Sequence, residues 1–227
     1  MSISEQKAAL RTEVLARRDA ITPDYREGKD ILIGAQLLQK IDWEDLAQKK
    51  EMRAWAASDE TSKDDPEAQA PRITVSVYSA MKSETNVAGF IAMAYNHDAR
   101  VCFPCMERLP KGNDEHRKLH MVFRAVSLDQ RETCPFVTKP LQSFAPDDPA
   151  IAPYPVVEPD ELDVIVVPVV AFDSANNRLG YGGGNYDRLL AQTRADALVV
   201  GVAYEEQRVD TVPREAFDKP LGSIVSA

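Results

Sequence analysis

At 227 residues the chain is long enough to bury a substantial core, and its formal net charge of -9 argues against a general nucleic-acid surface, which needs a basic stripe or a basic excess. No apolar run approaches the roughly 20 residues that span a bilayer, and the first residues read as the start of a helix and not as a leader, so a soluble, cytoplasmic protein is expected. Three cysteines in a chain of this length make no disulfide framework.

Ser2 and Glu5 form a capping box, and Leu10, Val14 and Ile21 recur at helical spacing, which predicts a helix over 2–20. Lys7, Arg11 and Arg18 fall on almost the same face as Val14. Solvated cations normally take the face opposite the apolar one, so this mixed stripe admits two readings: stems that snorkel out to water, or side chains aimed at something anionic at the edge of the core. A second helix is expected from Pro23 to about Ile41, with Thr22 as N-cap and proline in the first turn. Residues 49–71 are rich in Glu, Asp, Lys, Ala and Ser and have no sustained apolar period beyond Met52 and Trp55. They read as a solvated insertion.

Residues 73–78 alternate cleanly and predict a strand. Glu84 follows, ahead of a helix near 86–95 whose buried face is Val87, Phe90, Ile91 and Ala94. The end of a strand, an acid and a helix start is where ligands bind in open α/β sheets, although a carboxylate near a helix N-terminus is also favourable for its own sake. Cys102 and Cys105, followed by His116 and His120, have the outline of a zinc ligand set. They lie in an apolar run that reads as a buried strand, where reduced cysteine acts as a small hydrophobe. Further strands are expected at 101–104 and 120–126, then a proline-rich irregular stretch from 127 to 159. The β-branched run 164–170 and the similar run 197–203 read as strands covered on both faces, with a loop and a helix between them.

That loop, 172–188, is the most informative stretch. It sets Gly180, Gly182, Gly183 and Gly184 among Arg178, Arg188, Asp173 and Asp187. Glycines let backbone N–H groups turn toward an anion with no Cβ in the way, which is how a loop holds phosphate. Two familiar patterns fail. Asn185 stands where the dinucleotide fingerprint needs its last glycine, and no Lys-Ser or Lys-Thr pair closes the run as in a P-loop. A lysine for a triphosphate must therefore come from elsewhere in the chain. Asp187 is an oxygen ligand of the kind Mg²⁺ takes when it rides on a nucleotide's phosphates.

With Pro168, Phe172, Asp173, Arg178, Leu179, Gly180, Gly182, Gly184, Tyr186 and Asp187, the chain resembles the 5-formyltetrahydrofolate cyclo-ligase family. The amino-terminal Lys7 and Arg11, the segment from Tyr78 to Glu84, Glu158-Pro159, and Gln207, Pro213 and Asp218 extend the likeness over nearly the whole chain outside 49–71 and much of the loop before Tyr154. The resemblance implies a single three-layer α/β domain with a mostly parallel central sheet flanked by helices. It implies ATP- and Mg²⁺-dependent ring closure of 5-formyltetrahydrofolate to the 5,10-methenyl form by a monomer whose partners are small molecules, with no nucleic acid or membrane.

Lys7, Arg11 and Arg178 are implied to be catalytic and to hold the nucleotide's phosphates, together with Leu179, Gly180, Tyr181, Gly182, Gly183, Gly184, Asn185 and Tyr186. Asp187 and Asp218 are implied to hold Mg²⁺, and Ser79, Glu84, Tyr154, Tyr181 and Asn185 to contact the folate. The sequence departs from the family pattern at Val169, Asn176 and Asn185. Asparagine tolerates the left-handed conformation of the glycine that Asn176 replaces. Asn185 takes an aromatic surface out of the folate pocket, which leaves open a relative that applies the same ATP site to another substrate, or a folate or nucleotide sensor.

Overall fold

The computed structural model describes residues 1–57, 71–109, 119–215 and 218–227. α1 (Ile3–Asp19) starts on the expected capping box, Ser2 Oγ accepting from the Glu5 N–H at 3.2 Å and Glu5 Oε2 from the Ser2 N–H at 2.7 Å. α2 (Pro23–Lys40) begins with proline where a missing N–H costs nothing; Thr22 is its N-cap, but the Thr22 hydroxyl makes no capping bond. Next come α3 (Trp43–Ala57), β1 (Thr74–Ser76), α4 (Ala88–Asn96), β2 (Arg100–Arg108) and β3 (Leu119–Ala125). The irregular stretch holds only α5 (Pro135–Thr138), β4 (Ser143–Phe144) and β5 (Val156–Val157). β6 (Val164–Pro168), β7 (Ala171–Phe172), β8 (Arg178–Leu179), α6 (Asn185–Leu190), β9 (Leu198–Ala203) and β10 (Ser223–Ser226) complete the chain.

The main sheet runs β10-β9-β6-β1-β2-β3-β5, with β4 also on β2. Every neighbouring pair from β10 to β2 is parallel; β3 and β5 join antiparallel. The fold is thus α/β with a mostly parallel sheet flanked by helices. β6 shows why its residues read as an uninterrupted apolar run: Val164 and Val166 enter one core with α2 and α4, while Ile165 and Val167 enter another with Leu189 of α6. Pro104 sits inside β2 at little cost, because β1 pairs with β2 only as far as Cys102. Cys102 and Cys105, three apart on a strand, point into opposite cores and cannot converge on one ligand. His116 lies outside the described residues.

One expectation needs correction. The stretch expected to be a solvated insertion from residue 49 continues α3 to Ala57, while 58–70 lies outside the described residues. α3 is held less by an apolar stripe than by charge. Lys50 and Arg53 reach the fully buried Asp163 at 2.6 and 2.5 Å, and Arg194 joins them at 2.8 Å. Hydrophobic periodicity cannot register a helix attached in this way.

β1, β6 and β9 run parallel, and the segments leaving their carboxyl ends carry Ser79 to Glu84, the β7–β8 hairpin and Tyr204. Ligand sites of open α/β sheets form at such an edge.

Candidate active site

The glycine loop is built from Asp173 outward. Its carboxylate accepts from the N–H groups of Ala175 and Asn177 at 3.0 and 3.1 Å, from Asn177 Nδ2 at 2.9 Å, and from the Val212 N–H at 3.0 Å. Burial alone would raise its pKa, but these donors outweigh it and hold the carboxyl below its usual range. Asn176 takes φ +59°, the left-handed conformation expected of it, so β7 and β8 close as a hairpin and deliver Arg178 to the rim. Gly182 and Gly184 follow at φ +97° and +62°. A Cβ on Gly182 would stand 3.3 Å from the guanidinium carbon of Arg11, so glycine here serves both the turn and the close approach of a cation from α1.

α1 lays its mixed stripe against this turn. Val14 fills the small core beneath, with Ala171, Leu179 and Val212. Arg11 Nε donates to the Gly180 carbonyl at 2.7 Å. One and two turns away on the same face, Lys7 Nζ meets Asp218 and Glu215 at 2.6 and 2.7 Å, and Arg18 is buried. Burial works to lower the Lys7 pKa, but the two carboxylates raise it above its usual value. Asp218 is held below the usual carboxylate range despite burial, by the Glu215 N–H and Lys7. Arg178 bonds Asp187 through Nη2 and the Lys219 carbonyl through Nη1 at 3.0 Å. The two acids implied for Mg²⁺ therefore lie on one basic rim, each neutralised by a cation.

That donor set suits Mg²⁺, which binds through one or two carboxylates plus phosphate oxygens and water. Among the described residues no group of three or more His, Cys, Asp or Glu forms a closed cage.

Glu84 is 5% exposed, at the turn before α4. Its Oε2 accepts from the Met81 N–H at 2.7 Å. Burial raises its pKa; Met81, Tyr181 and the charge of Arg18 offset only part of the effect. Glu84 also borders an open cleft of about 800 Å³ between α2 and α4, lined by Arg26, Asp30, Lys82 and Tyr204 among others.

Other expected residues are placed as follows. Ser79 is half-buried just past β1, and Tyr186 packs in the second core with its phenol pKa raised by burial. Asn185 turns onto its own helix, Oδ1 accepting from Arg188 at 2.6 Å. Leu179 offers only its backbone, since its side chain is core. α6 has only six residues, so it adds little helix dipole to the turn that precedes it. Tyr154 does not join the site: it is 6% exposed with its ring edge-on to Phe136 at 5.1 Å, a core residue without a face to offer a ligand. Burial pushes the thiols of Cys102 and Cys105 up to about 12 and raises that of Cys134. The sequence reading missed Glu215, Asp30 and Tyr204; Tyr204 Oη donates to Asp30 at 2.7 Å, a pair 174 positions apart that no local pattern announces.

The family model described as the 5-formyltetrahydrofolate cyclo-ligase family matches residues 3–227. The chain belongs to this family. Relatives named 5-formyltetrahydrofolate cyclo-ligase include one from Haemophilus influenzae, 46% identical over 29% of this chain and 36% of that protein. Another, from Escherichia coli K12, is 27% identical over 67% of this chain and 77% of that protein. The match to the Haemophilus protein thus spans little more than a third of its length. Among solved structures, a 5,10-methenyltetrahydrofolate synthetase from Mycoplasma pneumoniae superposes with a TM-score of 0.62 at 20% identity, over 96% of this chain and 97% of that one. One of the same name from Aquifex aeolicus gives 0.54 at 24%, over 97% and 89%. These two likenesses speak for the fold. No helix among the described residues is long and apolar enough to cross a membrane.

Proposed function

We propose that this family member is an ATP-dependent ligase that closes 5-formyltetrahydrofolate to 5,10-methenyltetrahydrofolate, releasing ADP and phosphate. The observation that carries the reading is the meeting of α1 with the glycine turn, Arg11 Nε on Gly180 O at 2.7 Å, beside the buried Glu84.

In this reading the triphosphate lies along the turn from Gly180 to Tyr186, with Lys7, Arg11 and Arg178 around it. Lys7 pairs with Asp218 and Arg178 with Asp187. A magnesium-bound triphosphate would bring charges of both signs: Lys7, Arg11 and Arg178 would hold its phosphate oxygens, and Asp187 and Asp218 would hold the metal. When bound, Mg²⁺ draws negative charge off the phosphates. Glu84 faces the pterin, whose 2-amino and N3–H donors match a carboxylate. Ser79 and the half-exposed ring of Tyr181 border the same end.

The formyl oxygen attacks the γ-phosphorus, the bond from that phosphorus to the β-γ bridging oxygen breaks, and ADP leaves. N10 then attacks the formyl carbon, loses its proton, and the carbon–oxygen bond breaks to release phosphate as the ring cation forms. Such transfer needs positioning and charge neutralisation above all, and the three cations supply both. Purified protein with ATP, Mg²⁺ and 5-formyltetrahydrofolate is expected to give the methenyl absorbance with one ADP per product. No product with any nucleotide would overturn the reading.

A further inference from the structure

Tyr181 belongs to the glycine turn, yet its hydroxyl is held from another part of the molecule. Arg18 Nη2, from the end of α1, donates to it at 2.8 Å, and burial together with the charge of nearby Glu84 raises the phenol's pKa. Arginine has no acceptor, so the phenol oxygen accepts from Arg18 and the same guanidinium is left with donors for a second segment. Arg18 is 3% exposed, and Nε donates to Ser83 Oγ at 3.0 Å, next to Glu84 in sequence; Ser83 in turn donates to Asp19. An always-charged group is costly to bury unless its hydrogen bonds are made, and these are made to one residue of the turn and one of the segment carrying Glu84. The Tyr181 ring is meanwhile 50% exposed, fixed at its tip and open along its body. Its neighbour Gly182 has a backbone that few residues share, so the position of the phenol depends on how the turn is ordered.

We propose that Arg18 is a positioning residue which, by holding Tyr181 of the turn and Ser83 beside Glu84, couples the two halves of the site: a nucleotide that orders the glycine turn also orders the segment carrying Glu84, so nucleotide and folate bind with positive cooperativity. The inference rests on the function proposed above. Coupling of this kind is reciprocal, and each ligand must tighten the other by the same factor, on the order of tenfold for a single ordered segment.

Calorimetric titration tests it. Formylfolate affinity is measured alone and with a saturating magnesium complex of a non-hydrolysable ATP analogue, and analogue affinity with and without formylfolate. The wild-type protein is expected to show equal tightening of about tenfold in both directions. Arg18→Lys and, as a second route that leaves α1 intact, Tyr181→Phe are expected to bring the factor close to one. An Arg18 that merely held α1 in place would change thermal stability but not this ratio. Independent binding by the wild type, or an undiminished factor in the folded variants, overturns the coupling alone. A wild-type protein that binds no formylfolate overturns the proposed function together with it.

Discussion

Lys7 Nζ stands 2.6 Å from Asp218 Oδ2, across 211 positions of sequence. The contact joins a cation implied for phosphate to a carboxylate implied for magnesium, and Arg178 with Asp187 repeats the arrangement on the same rim. These ion pairs balance charge along the rim and reduce the repulsion that the clustered cations would otherwise suffer.

Lys7→Ala separates the two duties of this side chain. The pair is partly exposed, with Lys7 at 12% and Asp218 at 20%, so its loss should change folding stability by about 1 kcal/mol or less. Loss of a preorganised phosphate contact should lower kcat/KM by about 100-fold or more. Urea denaturation and steady-state kinetics measure the two. A catalytic loss under tenfold would count against phosphate binding by Lys7.

Asp187→Asn should raise the Mg²⁺ concentration for half-maximal activity by about tenfold or more. Asp218→Asn should do the same and also weaken ATP, because Asp218 positions Lys7. Activity followed against Mg²⁺ at saturating nucleotide distinguishes them. Identical Mg²⁺ curves for wild type and Asp187→Asn would remove Asp187 from the metal site.

Glu84→Gln should abolish turnover while making the protein relatively more stable as pH rises. Burial raises the pKa of Glu84 above its ordinary 4.5, so the folded state binds this proton more readily than the unfolded one. The penalty for ionising it is absent below 4.5 and develops as pH climbs through the raised value. Denaturation of both proteins at pH 4.5 and pH 7.5 should show the wild type losing ground to the variant at the higher pH. A constant difference would mean the buried carboxyl titrates normally.

Asp163→Asn should be costly without touching catalysis. The carboxylate is fully buried at the start of β6, the edge opposite the site, with three cations and the Thr74 N–H on it. Neutralising it should destabilise by about 3 kcal/mol, read from the urea midpoint, with KM for both substrates within about twofold. A change in KM larger than that in stability would show the two edges to be linked.

The sequence made legible what is local or periodic. Ser2 and Glu5 announced α1, the buried face of α4 followed from Val87, Phe90, Ile91 and Ala94, and the apolar run of β6 reflected its two cores. The glycines and Asn176 were readable because only backbone freedom explains residues of that kind in that order. α3 was not, since Lys50 and Arg53 hold it by an acid more than a hundred residues away. Tyr154 misled for the complementary reason: nothing in a sequence says whether an aromatic ring lies over a ligand or edge-on to Phe136. Lys7 and Arg11 could be grouped by helical phase, but Glu215 and Tyr204 meet their partners only in the assembled fold.

The three sulfhydryls carry a practical consequence. Cys102, Cys105 and Cys134 are all fully buried, and each is held as the unreactive protonated thiol. An alkylating reagent at neutral pH should therefore find no target until the packing around these side chains opens. The rate at which this protein takes up label becomes an intrinsic clock of its global opening, one that needs no added probe and slows when a ligand tightens the fold.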